Sequence, residues 1–348
     1  MKSNERKITV KASGVYDVVI ANNLIDSVGE LILSTVGNAK IAVITDDVVD
    51  VLYADRVINS LTTSGFEVVK YVFPHGEESK NLSNYGGILE FLSLNHFTRS
   101  DVMVALGGGV VGDITGFSAA TYMRGIKYIQ IPTTLLAQID SSVGGKTAVD
   151  LPSGKNLVGA FKQPSLVICD TDTLSTLPKE IFLDGMGEAV KYAVLDKSVY
   201  ELLSQENYNI EDLVYLCVDC KRKIVEADEF ESGKRKLLNL GHTVAHGIEK
   251  LSEYKISHGK AVSMGLNIIL KASLKNGFID QNLYNDISSV VKNCVGENDC
   301  PYDIENISEC ALFDKKRTGD SIAVVAVYGV GDCRAINVKV TELKEFLL

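Results

Sequence analysis

No stretch of the 348 residues stays apolar for the roughly 20 positions that a bilayer-spanning helix needs; SIAVVAVYGV, among the longest runs, stops far short. The opening MKSNERKITVKASGVYDVVI has no apolar core behind its basic start, so no secretory leader is expected. Basic excess is lacking too, with 35 Lys and Arg against 45 Asp and Glu and a formal charge of −10. Neutralising a phosphate backbone requires a basic surface, so non-specific nucleic-acid binding is excluded. A small anionic substrate needs only a local cluster of Lys and Arg. A disulfide or zinc framework is also missing. The seven cysteines are odd in number and scattered, and the CxxC of Cys217 and Cys220 has no second pair and lies in a helical pattern. Reduced thiols in a cytoplasmic enzyme are the expectation.

What is present is a composition of 46% apolar and 23% charged residues, ordinary for a globular chain, and a length that suits two domains. The first half alternates. KIAVITDD (40–47), GFEVVKYVF, SDVMVAL and KYIQIPTT read as strands, with helical stretches up to about residue 63, over NLSNYGGILEFLSLNHF and over ITGFSAATYM. Such alternation predicts a largely parallel α/β sheet of Rossmann-like type, whose ligands bind at the carboxyl ends of the strands. From TLPKEIFLDG onward, long helical patterns take over: GMGEAVKYAVL, NIEDLVYLCVDCKRKIVEADEF and AVSMGLNIILKASLKNG. The predicted division is an α/β domain over 1–178 and a mostly α-helical domain over 179–348.

GGGVVG (107–112) fits the dinucleotide fingerprint GxGxxG between a strand and a helix, where glycines let backbone N–H groups approach a pyrophosphate. It follows the third predicted strand, not the first. Thr133 and Thr134 stand about where the fingerprint expects an acid, so Asp46 at the end of ITDD is the candidate for the ribose. SSVGGKTA is not a P-loop, since GxxxxGK[ST] would need glycine where Asp140 stands. Lys146 and Lys155 nonetheless lie in a glycine-rich segment suited to a bound anion.

RKLLNLGHTVAHGIE (235–249) predicts one helix with a polar stripe. At about 100° per residue, Arg235, Asn239, His242 and His246 share a face, while Leu237, Leu240, Val244, Ile248 and Leu251 point away. Two histidines at i and i+4 can reach one metal, but HTVAH lacks the internal glutamate of a zinc protease. With His258 and Glu188 nearby in the pattern, four groups compete for the three ligand places of a catalytic zinc site, and spacing does not choose among them.

At these residues the chain resembles the 3-dehydroquinate synthase family of sugar-phosphate cyclases. The resemblance rests on GGGVVGDITGFSAATYMRG, IPTTLLAQIDSSVGGKTAVDLPSGKNLVGAF, TLSTLPKEIFLDGMGEAVKYAV and LLNLGHTVAHGIE…SHGKAV, in that order. It implies an NAD-binding domain joined to a helical metal-binding domain, usually as a homodimer, with Zn2+ or Co2+ held by Glu188, His242 and His258. Implied cofactor contacts are Asp46, Glu77, Lys80, Gly109, Val110, Val111, Gly112, Asp113, Thr133, Thr134, Lys146, Lys155, Thr173, Leu174, Ser175 and Thr176. For the substrate the resemblance implies Lys146, Asn156, Arg124 and either Lys315 or Lys316 at the phosphate, and Arg235 and Lys221 at the carboxylate. It implies His246, Asn239 and Lys191 at the ring hydroxyls, and Asp140 in an orienting role. Two departures stand out: Lys260 where the family commonly has an acid after HG, and Val244–Ala245 in place of its usual aromatic.

The implied reaction converts 3-deoxy-D-arabino-heptulosonate 7-phosphate to 3-dehydroquinate and phosphate. It runs through transient oxidation by NAD, elimination, reduction and intramolecular aldol closure, with no net redox change. Alternatives are another cyclase, such as an inosose or valiolone synthase, a metal-dependent polyol dehydrogenase, and a non-catalytic sugar-phosphate binder.

Overall fold

Buried, β-branched runs form the middle of the sheet, as their composition dictates. In the computed structural model, which describes residues 5–311, 317, 318 and 320–348, the chain divides into two compact units, Met1–Leu177 and Pro178–Leu348. The strands of the first unit are β1 (Arg6–Lys11), β2 (Val15–Ala21), β3 (Lys40–Asp46), β4 (Glu67–Phe73), β5 (Val102–Gly107), β6 (Lys127–Pro132), β7 (Lys146–Leu151), β8 (Gly154–Phe161) and β9 (Leu166–Asp170). Seven of them make one sheet in the order β1-β2-β9-β6-β5-β3-β4, parallel throughout except for β1 against β2. β7 and β8 form a separate antiparallel hairpin.

Successive residues of a strand face opposite sides, and both sides are covered. Ile41 and Val43 pack on one side with Val28 and Ile32 of the helix Val28–Val36 and with Val57 and Leu61 of the helix Asp55–Thr63. Ala42 and Ile44 pack on the other with Ile88 and Leu92 of Leu82–Leu94 and with Val111 and Ile114 of Gly109–Thr121. The unit is therefore doubly wound. Its strand order reverses between β3 and β5, which pair with each other while the chain travels to β4 between them. That switch point leaves a crevice at the carboxyl ends of β3 and β5.

The second unit is built on the helices Lys179–Leu195, Ile210–Ala227, His242–Leu251, His258–Lys275 and Gln281–Val295, with an apolar core that includes Val190, Val244, Ile248, Leu266 and Ile269. Three strands, β10 (Arg317–Thr318), β11 (Ser321–Gly329) and β12 (Asp332–Lys339), were not foreseen. The run SIAVVAVYG is strand-like, but its partner DCRAINVK is mostly solvent-facing and carries little apolar signal. In the first unit β1, β2, β7, β8 and β9 escaped the sequence reading as well.

Candidate functional site

The segment 235–249 is two elements, not the single helix expected. Lys234–Asn239 is a 3-10 helix, Leu240 is extended (φ −54°, ψ 124°), Gly241 turns left-handed at φ 79°, and His242 opens the α-helix to Leu251. A side chain at 241 would meet Val262 O at 2.8 Å and Leu266 N at 3.0 Å, so only glycine lets this corner press against the neighbouring helix. Arg235 and Asn239 thus reach their places from a different element than the two histidines. His242 and His246 do share a helix face, with ring centroids 5.9 Å apart.

Glycines also flank the other two candidate ligands. A Cβ on Gly187, beside Glu188, would lie 2.1 Å from Gly259 O; one on Gly259, beside His258, would lie 1.7 Å from Asp184 O. The helices Lys179–Leu195 and His258–Lys275 therefore cross backbone against backbone. Glu188, His242 and His258, from three helices, converge until their ligand atoms all lie within 4.8 Å of one another.

Glu188 is fully buried. His258 Nε2 stands 3.1 Å and His242 Nε2 3.3 Å from its Oε1, and Lys191 Nζ stands 2.5 Å from its Oε2. Neither carboxylate oxygen makes a well-directed hydrogen bond at these distances. One carboxylate and two imidazoles whose ligand atoms gather this closely make an arrangement that a cation can occupy. The outer nitrogens fit it as well: His242 Nδ1 is 3.1 Å from the Leu240 carbonyl, and His258 Nδ1 is 3.3 Å from Glu249 Oε1. With each Nδ1 donating outward, each Nε2 keeps its lone pair for a metal. A divalent ion fits this set of one carboxylate and two imidazoles.

The charges are strongly coupled. Burial would raise the Glu188 carboxyl, but Lys191 and the two imidazoles outweigh it and hold it well below the usual range. Burial drives His242 down to about 4 against the pull of Glu188. Burial also opposes charge on His258, yet Glu188 and Glu249 together hold it up at about 10.

Lys191, Lys221 and Arg235 are buried in the same unit, an unusual concentration of cations for a protein interior. Arg235 donates through Nη1 to the Glu229 carbonyl, and Asn239 Nδ2 lies 2.5 Å from Glu231 Oε1. Lys260, the departure beside His258, is exposed; its backbone N–H donates to Asp184 Oδ1 at 3.0 Å and its carbonyl accepts from Ser263 Oγ at 2.9 Å. Val244 and Ala245 are core residues. Lys315 and Lys316 lie outside the described residues. The sequence reading missed Glu249 and Asp228. Glu249 follows His242 by seven residues, two helical turns, a spacing that could have placed it on the ligand face.

In the first unit, most nucleotide candidates line one edge of the sheet. Asp46 ends β3, where its Oδ1 accepts from Val48 N (3.0 Å) and Val49 N (2.8 Å). Gly109, Val110, Val111, Gly112 and Asp113 open the helix after β5, which begins with no side-chain cap. A Cβ on Gly108 would meet Thr134 at 3.1 Å, one on Gly109 would meet Ser141 Oγ at 3.2 Å, and one on Gly112 would meet Gln130 Oε1 at 2.6 Å. Uncapped N–H groups behind a side-chain-free turn fit a pyrophosphate. Lys80 is buried, 2.6 Å from Asp113 and 3.7 Å from Glu77. Burial works against its charge, but Asp113 and Glu77 outweigh it and raise its pKa.

Thr133 and Thr134 follow β6, and Thr133 N donates to Gly107 O at 3.0 Å. Thr173, Leu174, Ser175 and Thr176 form the 3-10 turn after β9. There the Thr173 hydroxyl is committed to Asp170 O at 2.7 Å and Leu174 is buried, while Ser175 and Thr176 are exposed. Asp140 is half-buried in the π-helical turn Ala137–Ser141. Lys146, exposed, begins β7, and Lys155 and Asn156 lie in β8. Asn156 N donates to Asp150 Oδ1 (2.7 Å), and Asp150 N to Lys80 O (2.7 Å), which ties Asn156 to the same edge. Arg124 is not brought there. It is exposed at φ 66° in the turn Tyr122–Arg124, before the amino end of β6.

Comparison with known proteins gives a consistent picture. A family profile described as 3-dehydroquinate synthase N-terminal matches residues 70–184, and one described as 3-dehydroquinate synthase C-terminal matches 185–317. The 3-dehydroquinate synthase of Streptococcus thermophilus is 43% identical over 342 residues, covering 95% of this chain and 96% of its own. A 2-deoxy-scyllo-inosose synthase complexed with carbaglucose-6-phosphate, NAD+ and Co2+ superposes with a TM-score of 0.85 at 24% identity, over 98% of this chain and 99% of that one. The 2-epi-5-epi-valiolone synthase of Streptomyces hygroscopicus with NAD+ and Zn2+ bound also scores 0.85, at 22% identity over 98% of each chain. At such identities the two structures speak for the fold alone.

Proposed function

We infer the division of labour in these sites from one premise: the chain belongs to the 3-dehydroquinate synthase family. It is an enzyme of that activity, a lyase that turns 3-deoxy-D-arabino-heptulosonate 7-phosphate into 3-dehydroquinate and inorganic phosphate. The observation that carries the site assignment is the convergence of Glu188, His242 and His258.

When bound, a divalent zinc or cobalt ion at that triad supplies Lewis acidity at oxygen, and NAD at the switch point of the first unit supplies a reusable hydride acceptor. The protein's own groups do the rest. Leu240 O and Glu249 hold the two imidazoles in the tautomer that leaves Nε2 available. Arg235 and Lys221 bind the substrate carboxylate, for which the guanidinium fork is suited. Asn239, His246 and Lys191 orient the ring hydroxyls and move protons at them. Lys146 and Asn156 hold the phosphate, and Asp140 orients. Asp46, the 107–113 turn, Lys80 and the threonines after β6 hold the nucleotide. The substrate's phosphate, already a base, can take up the proton removed in its own elimination, which agrees with the lack of a carboxylate assigned to that step.

Arg124 fits this scheme only with a partner. It lies at the amino end of β6, while Asn156 is tied to the carboxyl edge, about 20 Å away along a six-residue strand. One phosphate cannot touch both in a single chain, so Arg124 would come from a second copy. That separation, with exposed Leu157 and Phe161 on β8, supports a homodimer. Seven free cysteines support a reducing, cytoplasmic setting, and no helix among the described residues is long and apolar enough to cross a membrane.

The deciding experiment supplies the heptulosonate phosphate, NAD+ and Zn2+, and follows phosphate and NADH together. Stoichiometric phosphate with no NADH build-up is expected. Accumulating NADH would make the protein a dehydrogenase, and no turnover would make it a binder.

A further inference from the structure

One carboxylate with no task in the scheme above organises the loop that carries two of its residues. Asp228 caps the end of the helix Ile210–Ala227. Its Oδ1 accepts from Ser232 N (2.9 Å) and Ser232 Oγ (3.0 Å), and its Oδ2 from Gly233 N (2.7 Å) and Arg235 N (2.9 Å). A carboxylate offers about four lone-pair sites, so these four donors saturate it. The Arg235 N–H leads the groups that hold its carboxyl well below the ordinary range. Within the loop so closed, the Glu229 carbonyl receives Arg235 Nη1, and Glu231, held left-handed at φ 61°, receives Asn239 Nδ2. A non-glycine residue keeps such a φ only where its surroundings fix it. Arg235 is 2% exposed, so its guanidinium has no solvent freedom with which to find another pose.

We propose that Asp228 is a positioning residue for substrate binding: it fixes the backbone of 229–235, and thereby where the Arg235 guanidinium and the Asn239 amide meet the substrate. This rests on the reading of Arg235 as the contact for the substrate carboxylate. The metal triad and the nucleotide edge lie outside the loop and do not depend on it. A merely structural cap would lower stability and leave the substrate KM alone.

The test is a double-mutant cycle on the metal- and NAD-loaded enzyme, read as kcat and KM for the heptulosonate phosphate. Asp228→Asn replaces one acceptor with a donor that faces backbone N–H groups, and should raise KM about 10- to 100-fold, the range that a displacement near 1 Å produces. Dissociation constants for NAD+ and Zn2+ should stay within about twofold. Asp228→Asn combined with Arg235→Ala should be no worse than Arg235→Ala alone, because the two act as one unit. Wild-type KM in D228N beside a crippled R235A overturns this proposal alone, as do effects that multiply. Wild-type KM in R235A removes the reading of Arg235 and this proposal with it. If D228N does not fold, Ser232→Ala takes its place. This exposed change removes one donor from the same carboxylate and should raise KM about fivefold; an unchanged KM overturns the proposal.

Discussion

Gly187 and Gly259 meet backbone to backbone where the helices carrying Glu188 and His258 cross, with room at neither for a methyl group. The spacing of two of the proposed metal ligands is therefore set by residues with no side chain. Gly187→Ala must push the helices apart, at a cost of about 3 kcal/mol for overpacking against unyielding backbone. A lowered melting temperature is expected, with zinc affinity at least about tenfold weaker, measured by melts with and without zinc and by chelator competition. Zinc affinity equal to wild type would show that the crossing does not set the site.

Glu249 is buried and faces the outer nitrogen of His258. Glu249→Gln keeps the shape but weakens the acceptor that fixes the ring. Outer partners of this kind are worth about 10- to 100-fold in metal affinity. We expect a loss in that range, seen by equilibrium competition with a chromogenic chelator, with NAD+ binding unchanged. An unaltered zinc constant would assign Glu249 to packing alone.

Zinc uptake should release a proton. Without a cation, Glu188 and Glu249 outweigh burial and keep His258 charged up to about pH 10, while burial keeps His242 neutral above about 4. A ligand imidazole must be neutral, so metal displaces the His258 proton, and about one proton per site should appear at pH 7. Apparent affinity then rises about tenfold per pH unit until His258 deprotonates unaided. For the metal-free protein the sign is opposite. The His258 pKa is raised on folding, so its contribution to stability is complete below about 6.5 and disappears as pH climbs through about 10. Calorimetric titration in buffers of differing ionisation heat checks the first claim, and melts of chelated protein from pH 6 to about 10 check the second. Zinc binding with no proton release would contradict the coupling.

Much of the first unit is legible in the sequence because its central strands are uninterrupted apolar runs and its glycine turn stands between a strand and a helix. The four candidates for the metal site are legible as well, but spacing does not choose among them: of the two histidines one turn apart, only His242 joins Glu188 and His258 in the cluster. What the sequence hides depends on distant contacts. Nothing local to LLNLGHT announces that Gly241 must press on Val262, about twenty residues later, and without that contact one helix is the simplest reading. Asp228 hides for another reason: ADEFESGKR looks like an ordinary charged surface loop, and only coordinates show a single carboxylate gathering four donors. Asp followed by Ser and Gly is nonetheless a pattern that such side-chain-built loops favour.

All three proposed ligands, and the carbonyl and carboxylate beside their rings, fall between Glu188 and His258, inside the second unit. The proposed metal site thus draws every ligand from the second unit and none from the first, where the dinucleotide is proposed to bind. Metal supply would then act on the enzyme while it matures, once per molecule, whereas coenzyme supply would act on the finished catalyst. Starving a cell of the divalent cation that this site takes should accordingly reduce how many working copies accumulate, with little effect on how fast each surviving copy turns over.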